Sequence, residues 1–230
     1  MRLEEFNFGS EIPLLFVNIT HNTSMEVIDM PKIFFTGDLH FGHANAIKSD
    51  DRPFSSVEEM DEELIRRWNN KVGKGDITYV LGDMIWKPRN DDAASIIKRL
   101  NGQIILIKGN HDKFLHNSAV KKLFAAIKEG DNIKVTLEDG SIKQCILNHH
   151  FIPLYDRHKY GAIMLHAHSH TSEEAAIERE IADMLNERGF RNEIYNVGCM
   201  YWNYEPVTLD EILATSRAGK ELCDVVGKSS

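Results

Sequence analysis

The sequence predicts an α/β fold, a single domain built from two sheets, and three observations carry that reading. Short apolar β runs alternate with amphipathic helical stretches through the first half, the pattern of right-handed βαβ units on a parallel sheet. The second half instead carries Asp139-Gly140 between two β-rich runs, a hairpin signal. The 230 residues, 42% of them hydrophobic, suffice for a full core and show no repeat, low-complexity stretch or linker. One domain therefore spans 1–230, with 1–31 as an N-terminal extension and a frayed tail from about 219 to 230.

The extension reads as a hairpin or an irregular arm. Lys32 to Thr36 is a buried strand rich in Ile and Phe, ended by Gly37. Ser56 with Glu59 forms a capping box, and Val57, Met60, Leu64, Ile65 and Trp68 recur at helical spacing, giving a helix over 57–70. Gly73 and Gly75 stop it, and Ile77 to Leu81 is a second strand running into Gly82-Asp83. Asp92 starts a helix that Gly102 stops. Ile104 to Lys108 is a third strand, ending in Gly109-Asn110-His111-Asp112. The spacing of Val120, Leu123, Phe124 and Ile127 predicts a helix over about 118–128. Asn132 to Leu137 and Ile142 to Leu147 form the hairpin, whose second strand runs into Asn148-His149-His150. Ala162 to Leu165 is a strand leading into His166-Ala167-His168-Ser169-His170. Thr171 with Glu174 is expected to cap a helix reaching Gly189. Glu193 to Val197 is the last clear strand, and Thr208 with Glu211 caps a short terminal helix.

Composition narrows the function classes. A net charge of −8 and the lack of a basic, aromatic-interleaved stripe argue against extended nucleic acid as a partner. Cys145, Cys199 and Cys223 are odd in number and scattered, which fits a reducing cytoplasm rather than a disulfide framework. The start, Met1 to Phe8, is acidic and has no apolar run, and no stretch reaches membrane length, so neither a leader nor a membrane partner is expected.

The chemistry concentrates at five strand ends: Asp38/His40, Asp83, Asn110/His111, His149 and His168/His170. Asp38 and His40 sit two apart and so share a face where a strand ends, the edge at which open α/β sheets place their sites. Gly37, Gly82 and Gly109 precede three of these groups and free the backbone to turn sharply. A single Gly-Asp is ordinarily a turn. Five groups of carboxylate, imidazole and amide donors on two sheets point to bound metal.

In this order, Gly-Asp-x-His, Gly-Asp, Gly-Asn-His-Asp, a strand-end His and His-x-His, the chain resembles the calcineurin-like metallophosphoesterases over roughly Ile33 to Gly198. The resemblance implies a four-layer α/β/β/α sandwich of two mixed sheets flanked by helices, with two divalent metal ions at the strand ends. It assigns Asp38, His40 and His170 to one ion and Asn110, His149 and His168 to the other, with Asp83 bridging. His, Asp and Asn donors suit Mn, Fe, Zn, Ni or Co. His111 matches the catalytic histidine, stabilising the transition state and protonating the leaving oxygen. Many members pair that histidine with an Asp three residues beyond the bridging Asp; here the position is Trp86, which leaves Asp112 or a backbone carbonyl to orient His111.

His43, Asn45 and Arg52, just after the first motif, are candidate substrate contacts. Strand alternation directs His150 away from His149, and a hydrogen bond behind the ligands suits His166 better than ligation. The expected activity is that of a dimetal phosphohydrolase in which a hydroxide bridging the metals attacks phosphorus. With no cap domain, small phosphodiesters or nucleotide-like substrates are favoured over phosphomonoesters. The alternative is a non-catalytic metal-binding scaffold of the same fold that binds a partner protein.

Overall fold

The computed structural model describes residues 31–86 and 92–215. Residues 1–30 of the expected extension, and the expected tail from about 219, lie outside them. In chain order the elements are β1 (Ile33–Thr36), α1 (Ala44–Ser49), α2 (Val57–Lys71), β2 (Ile77–Leu81), α3 (Asp92–Arg99), β3 (Gln103–Ile107), α4 (Ser118–Lys121), β4 (Ala126–Lys128), β5 (Asp131–Thr136), β6 (Ile142–Leu147), β7 (Ile163–His166), α5 (Glu173–Glu187), β8 (Glu193–Asn196) and β9 (Val207–Thr208). A further helix occupies 209–215. Among the described residues no helix is long and apolar enough to cross a membrane.

Two mixed sheets result. The first has the order β4-β3-β2-β1-β9, parallel except for β9, and the second has the order β5-β6-β7-β8, parallel except for the β5–β6 hairpin. Strand alternation gives the first sheet two apolar faces. Phe34, Val80, Ile104 and Leu106 join Met60, Leu64 and Trp68 of α2 and Ile97 of α3 in one cluster. Phe35, Leu81 and Ile107 face the other way and pack with Cys145, Leu147, Ile163 and Leu165 of the second sheet. Burial of these side chains supplies most of the cohesion, at about 1.5–3 kcal/mol for each large one. Trp68 shows the polar condition on such burial: it is 1% exposed and its indole N–H donates to the Asn101 carbonyl at 2.9 Å.

Register fixes where the strands stop. Thr36 pairs with Val80 and Leu81 with Ile107, so β1, β2 and β3 end together. In the second sheet Leu147 pairs with Leu165, and His166 with Asn196. A bridge between Gly37 and Gly198 joins the two sets of strand ends, with the Cys199 N–H donating to the Gly37 carbonyl at 2.9 Å. The C-terminal ends of parallel strands from both sheets thus share one edge.

Two expected helices change. Only 118–121 is α-helical in the 118–128 segment, and Ala126–Lys128 instead pairs with Ile105–Ile107 as an edge strand. The open edge of β3 offers backbone partners, and the 3–4 spacing of Val120, Leu123 and Phe124 is satisfied by a single turn followed by a bend. α5 begins after Ser172, not Thr171, and Ser172 makes no side-chain cap to the helix. Its hydroxyl donates instead to the Ser169 carbonyl, closing the loop that carries His168 and His170.

Candidate metal centre

Backbone conformation sets this edge apart. Asp38 (φ 53°), His40 (φ 52°), Asp83 (φ 51°), His168 (φ 72°) and His170 (φ 51°) all lie in the left-handed region. Residues with a Cβ avoid it at a cost of roughly 1–2 kcal/mol each, so the surroundings must impose it. They do so by hydrogen bonds: Asp38 N–H to the Gly82 carbonyl (3.1 Å) and His40 N–H to the Asp83 carbonyl (3.0 Å). The turns also approach too closely for side chains at two positions. A Cβ on Gly109 would collide with the Asp83 carboxylate and amide nitrogen, and one on Gly82 with the His149 ring and Gly109 Cα.

The result gathers all seven expected ligands. Asp38, His40 and His170 offer donor atoms within 4.8 Å of one another, as do Asp38, Asp83 and His149. His40 Nε2 lies 3.2 Å from His170 Nε2. On the other side His149 Nε2 lies 2.9 Å from Asn110 Oδ1 and 3.2 Å from His168 Nδ1. Asp83 stands between the two groups: its Oδ2 is 3.8 Å from His40 Nε2 and 3.5 Å from His149 Nε2.

Electrostatics test whether cations fit. Asp38 Oδ1 is buried with no hydrogen-bond partner among the described residues, although its Oδ2 accepts from the His168 N–H at 2.9 Å. A buried carboxylate oxygen left so is costly unless a cation meets it. Burial pushes the Asp38 carboxyl up to about 7 and pulls His40 down to about 2, and burial likewise lowers His149. The imidazoles of His40 and His149 are therefore neutral and present lone pairs, the form that binds metal, whereas at His170 the effect of burial is outweighed by the carboxylates of Asp50 and Asp38, which raise it. Nitrogen and oxygen donors in two groups sharing a carboxylate suit a pair of divalent ions.

Residues behind the donors hold them. His170 Nδ1 lies 2.9 Å from Asp50 Oδ1, and Arg52 donates to Asp50 Oδ2 from Nε (3.1 Å) and Nη2 (2.9 Å). Arg52 also donates to the Asp38 and Leu39 carbonyls at 2.9 and 3.0 Å. Arg52 is thus a correction to the expected substrate contacts: it is 3% exposed, and its donors are spent on the ligand loop and Asp50. His149 Nδ1 lies 2.7 Å from the Leu81 carbonyl, fixing the ring so that Nε2 faces the centre. Asp112 accepts from the N–H groups of Asp83 (3.1 Å), Met84 (2.9 Å) and Gly109 (2.8 Å). It therefore ties two ligand turns together and does not orient the His111 ring.

His111 stands beside the donors, its own N–H donating to Asp83 Oδ1 at 2.8 Å. Its ring centroid lies 4.3 Å from that of Trp86 and 6.0 Å from that of His40. Trp86 in turn stacks on His43 at 3.8 Å and 7°. The residue in place of the expected acid therefore packs on His111. Of the other expected substrate contacts, His43 lines this aromatic wall, while Asn45 is exposed in the first turn of α1. His166 does not take the expected place directly behind the ligands. Its Nδ1 meets the Ala167 carbonyl at 3.1 Å, and it lines a cavity of about 330 Å³ with Glu178, Asn196 and Trp202. His150 is also displaced from expectation. β6 ends at Leu147, alternation ends with it, and the His150 ring lies 4.4 Å from that of His168.

The sequence profile of the calcineurin-like phosphoesterases matches residues 31–202. The chain belongs to the calcineurin-like phosphoesterase family. The matched span includes every one of the seven donors and His111. Uncharacterized protein MJ1445 of Methanocaldococcus jannaschii is 36% identical over 197 residues, 84% of this chain and 96% of that protein. Gene 66 protein of Mycobacterium phage D29 is 27% identical over 164 residues, 62% of this chain and 80% of its own length. The crystal structure of AQ665 from Aquifex aeolicus, a protein of unknown function, superposes with a TM-score of 0.59 at 23% identity, covering 80% of this chain and 99% of that one, which shows a common fold. Membership in the calcineurin-like phosphoesterases supports metal-dependent phosphoester hydrolysis at the centre described.

Proposed function

We propose that this calcineurin-like phosphoesterase is a dimetal phosphohydrolase that prefers small phosphodiesters or nucleotide-like substrates. The observation that carries the dinuclear reading is the position of Asp83, whose Oδ2 lies within 3.8 Å of His40 Nε2 and 3.5 Å of His149 Nε2. Asp38, His40 and His170 would hold one ion, Asn110, His149 and His168 the other, and Asp83 both. When bound, such a pair supplies Lewis acidity toward phosphoryl oxygens and a water acidic enough to act as nucleophile near neutral pH.

The protein's own groups do the rest. Asp50 and Leu81 fix the rings of His170 and His149 through their second nitrogens, so the donor geometry is set before any ion arrives. His111, beside Asp83 and outside both donor groups, is placed to hydrogen-bond a phosphoryl oxygen and to give its proton to the leaving oxygen. The wall of His43, Trp86 and His111 offers aromatic surface beside the reacting centre, which favours a planar organic group on the substrate. The buried, unpaired thiols of Cys145 and Cys199 favour a reducing compartment such as the cytoplasm.

The test is hydrolysis of bis-p-nitrophenyl phosphate and p-nitrophenyl phosphate with Mn²⁺, Fe²⁺, Zn²⁺, Ni²⁺ or Co²⁺, comparing wild type with His111→Ala. Wild type should cleave the diester faster than the monoester, and the substitution should lower kcat by about 10²–10⁴-fold. Equal inertness of both proteins with every ion would contradict catalysis and favour the scaffold role.

A further inference from the structure

We propose that His150 supplies a third imidazole to the ion held by Asn110, His149 and His168. The inference rests on the metal-centre reading above and extends it to a residue outside the seven donors. The ligand nitrogens of His149, His150 and His168 all lie within 4.8 Å of one another. The His150 ring is 4.4 Å from His168 and 4.8 Å from His149, centroid to centroid. This closeness follows from the backbone: past Leu147 the chain leaves the sheet, and the His150 N–H donates to Asn148 Oδ1 at 2.9 Å. Consecutive imidazoles thus turn to the same side, which an extended strand forbids.

The position has chemical consequences. His149 is 1% exposed, whereas His150 is exposed, so His150 reaches this donor group from the solvent side. With Asn110, which is also exposed, it stands on the side from which a phosphate oxygen would arrive. It also makes the two groups unlike. The first offers two imidazoles with Asp38 and the shared Asp83. The second offers three imidazoles, an amide and the shared Asp83. The second group is richer in nitrogen and poorer in negative charge, and so should favour Zn²⁺, Ni²⁺ or Co²⁺ over Mn²⁺.

Metal titration of the apo protein with Zn²⁺ and with Mn²⁺ tests this, using wild type, His150→Ala and His150→Phe. Phe keeps a ring against His168 but carries no donor. Wild type should bind two ions. Both variants should keep one affinity and weaken the other by about tenfold or more, with a larger loss for Zn²⁺ than for Mn²⁺. The visible spectrum of the Co²⁺-loaded protein should change in both variants. If His150→Phe retains both wild-type affinities, ligation by His150 is wrong while the dinuclear centre stands. If wild type binds no ion, both readings fall.

Discussion

Asp50 makes the clearest case at the scale of single residues. It receives Arg52 on one oxygen and faces His170 Nδ1 with the other, so a buried ion pair steers the ring of a candidate metal donor. Hydrogen bonds from Arg52 and His170 outweigh burial and hold its carboxyl down at about 2, so the anchor is charged at any working pH. Replacing Asp50 with Ala should weaken one of the two metal affinities by about 10–100-fold, measured by chelator competition. It should also destabilise the fold by about 3–5 kcal/mol in urea, because the Arg52 side chain is 0% exposed and would keep its charge with carbonyl partners but no counter-ion. An unchanged affinity would remove Asp50 from the centre. The donors themselves were legible in the chain, since each stands just past an apolar β run and several follow a glycine. Asp50 was not, because nothing in its spacing from His170, 120 residues away, marks the contact. The same holds for Trp86, whose stack on His43 and tilted contact with His111 are purely tertiary.

Among the elements, α2 does more than cover the sheet. Ser56 accepts from the Glu59 N–H at 3.1 Å, as the capping box requires, but the Glu59 carboxylate turns to Ser55. One turn on, Asp61 accepts from the Gly42 N–H with both oxygens, at 3.0 and 3.1 Å, and so fastens the loop after His40 to the helix. Burial raises the Asp61 carboxyl from 3.8 to about 6, even though the Gly42 hydrogen bond works the other way. A raised folded-state value means that Asp61 favours the fold fully below pH 4, and that this contribution is lost as pH rises through 6. Asp61→Asn keeps an acceptor for Gly42 without the charge. It should therefore be more stable than wild type at pH 8, by about 1 kcal/mol after allowance for solvent screening, with the advantage gone at pH 4. Urea melts at the two pH values check this, and an advantage independent of pH would contradict it. Elements with strong period were readable: α2, the hairpin and the parallel strands follow from their apolar spacing. The 118–128 segment was not, because four apolar residues at 3–4 spacing fit one helical turn plus an edge strand as well as three turns. Its outcome was decided by the open edge of β3, which is a long-range fact.

On the scale of the whole molecule, the proposed function depends on two sheets ending at one edge. The Gly37–Gly198 bridge and the bond from the His168 N–H to Asp38 Oδ2 join strand ends that are far apart in the chain. Left-handed backbone at Asp38, His40, Asp83, His168 and His170 is the conformational cost of that convergence. Cation binding to the folded state alone would offset it, so stability should rise with metal concentration. The order of motifs made this meeting legible, whereas the turn that brings His150 in did not follow from strand alternation. The most direct measurement is the number of divalent ions bound at saturation, by equilibrium dialysis with elemental analysis, for wild type and Asp83→Ala. Two ions per wild-type chain, with both affinities weakened together in Asp83→Ala, is the predicted result. A wild-type chain that binds fewer than two, or an Asp83→Ala variant that binds both as tightly, would contradict a shared carboxylate at the heart of the centre.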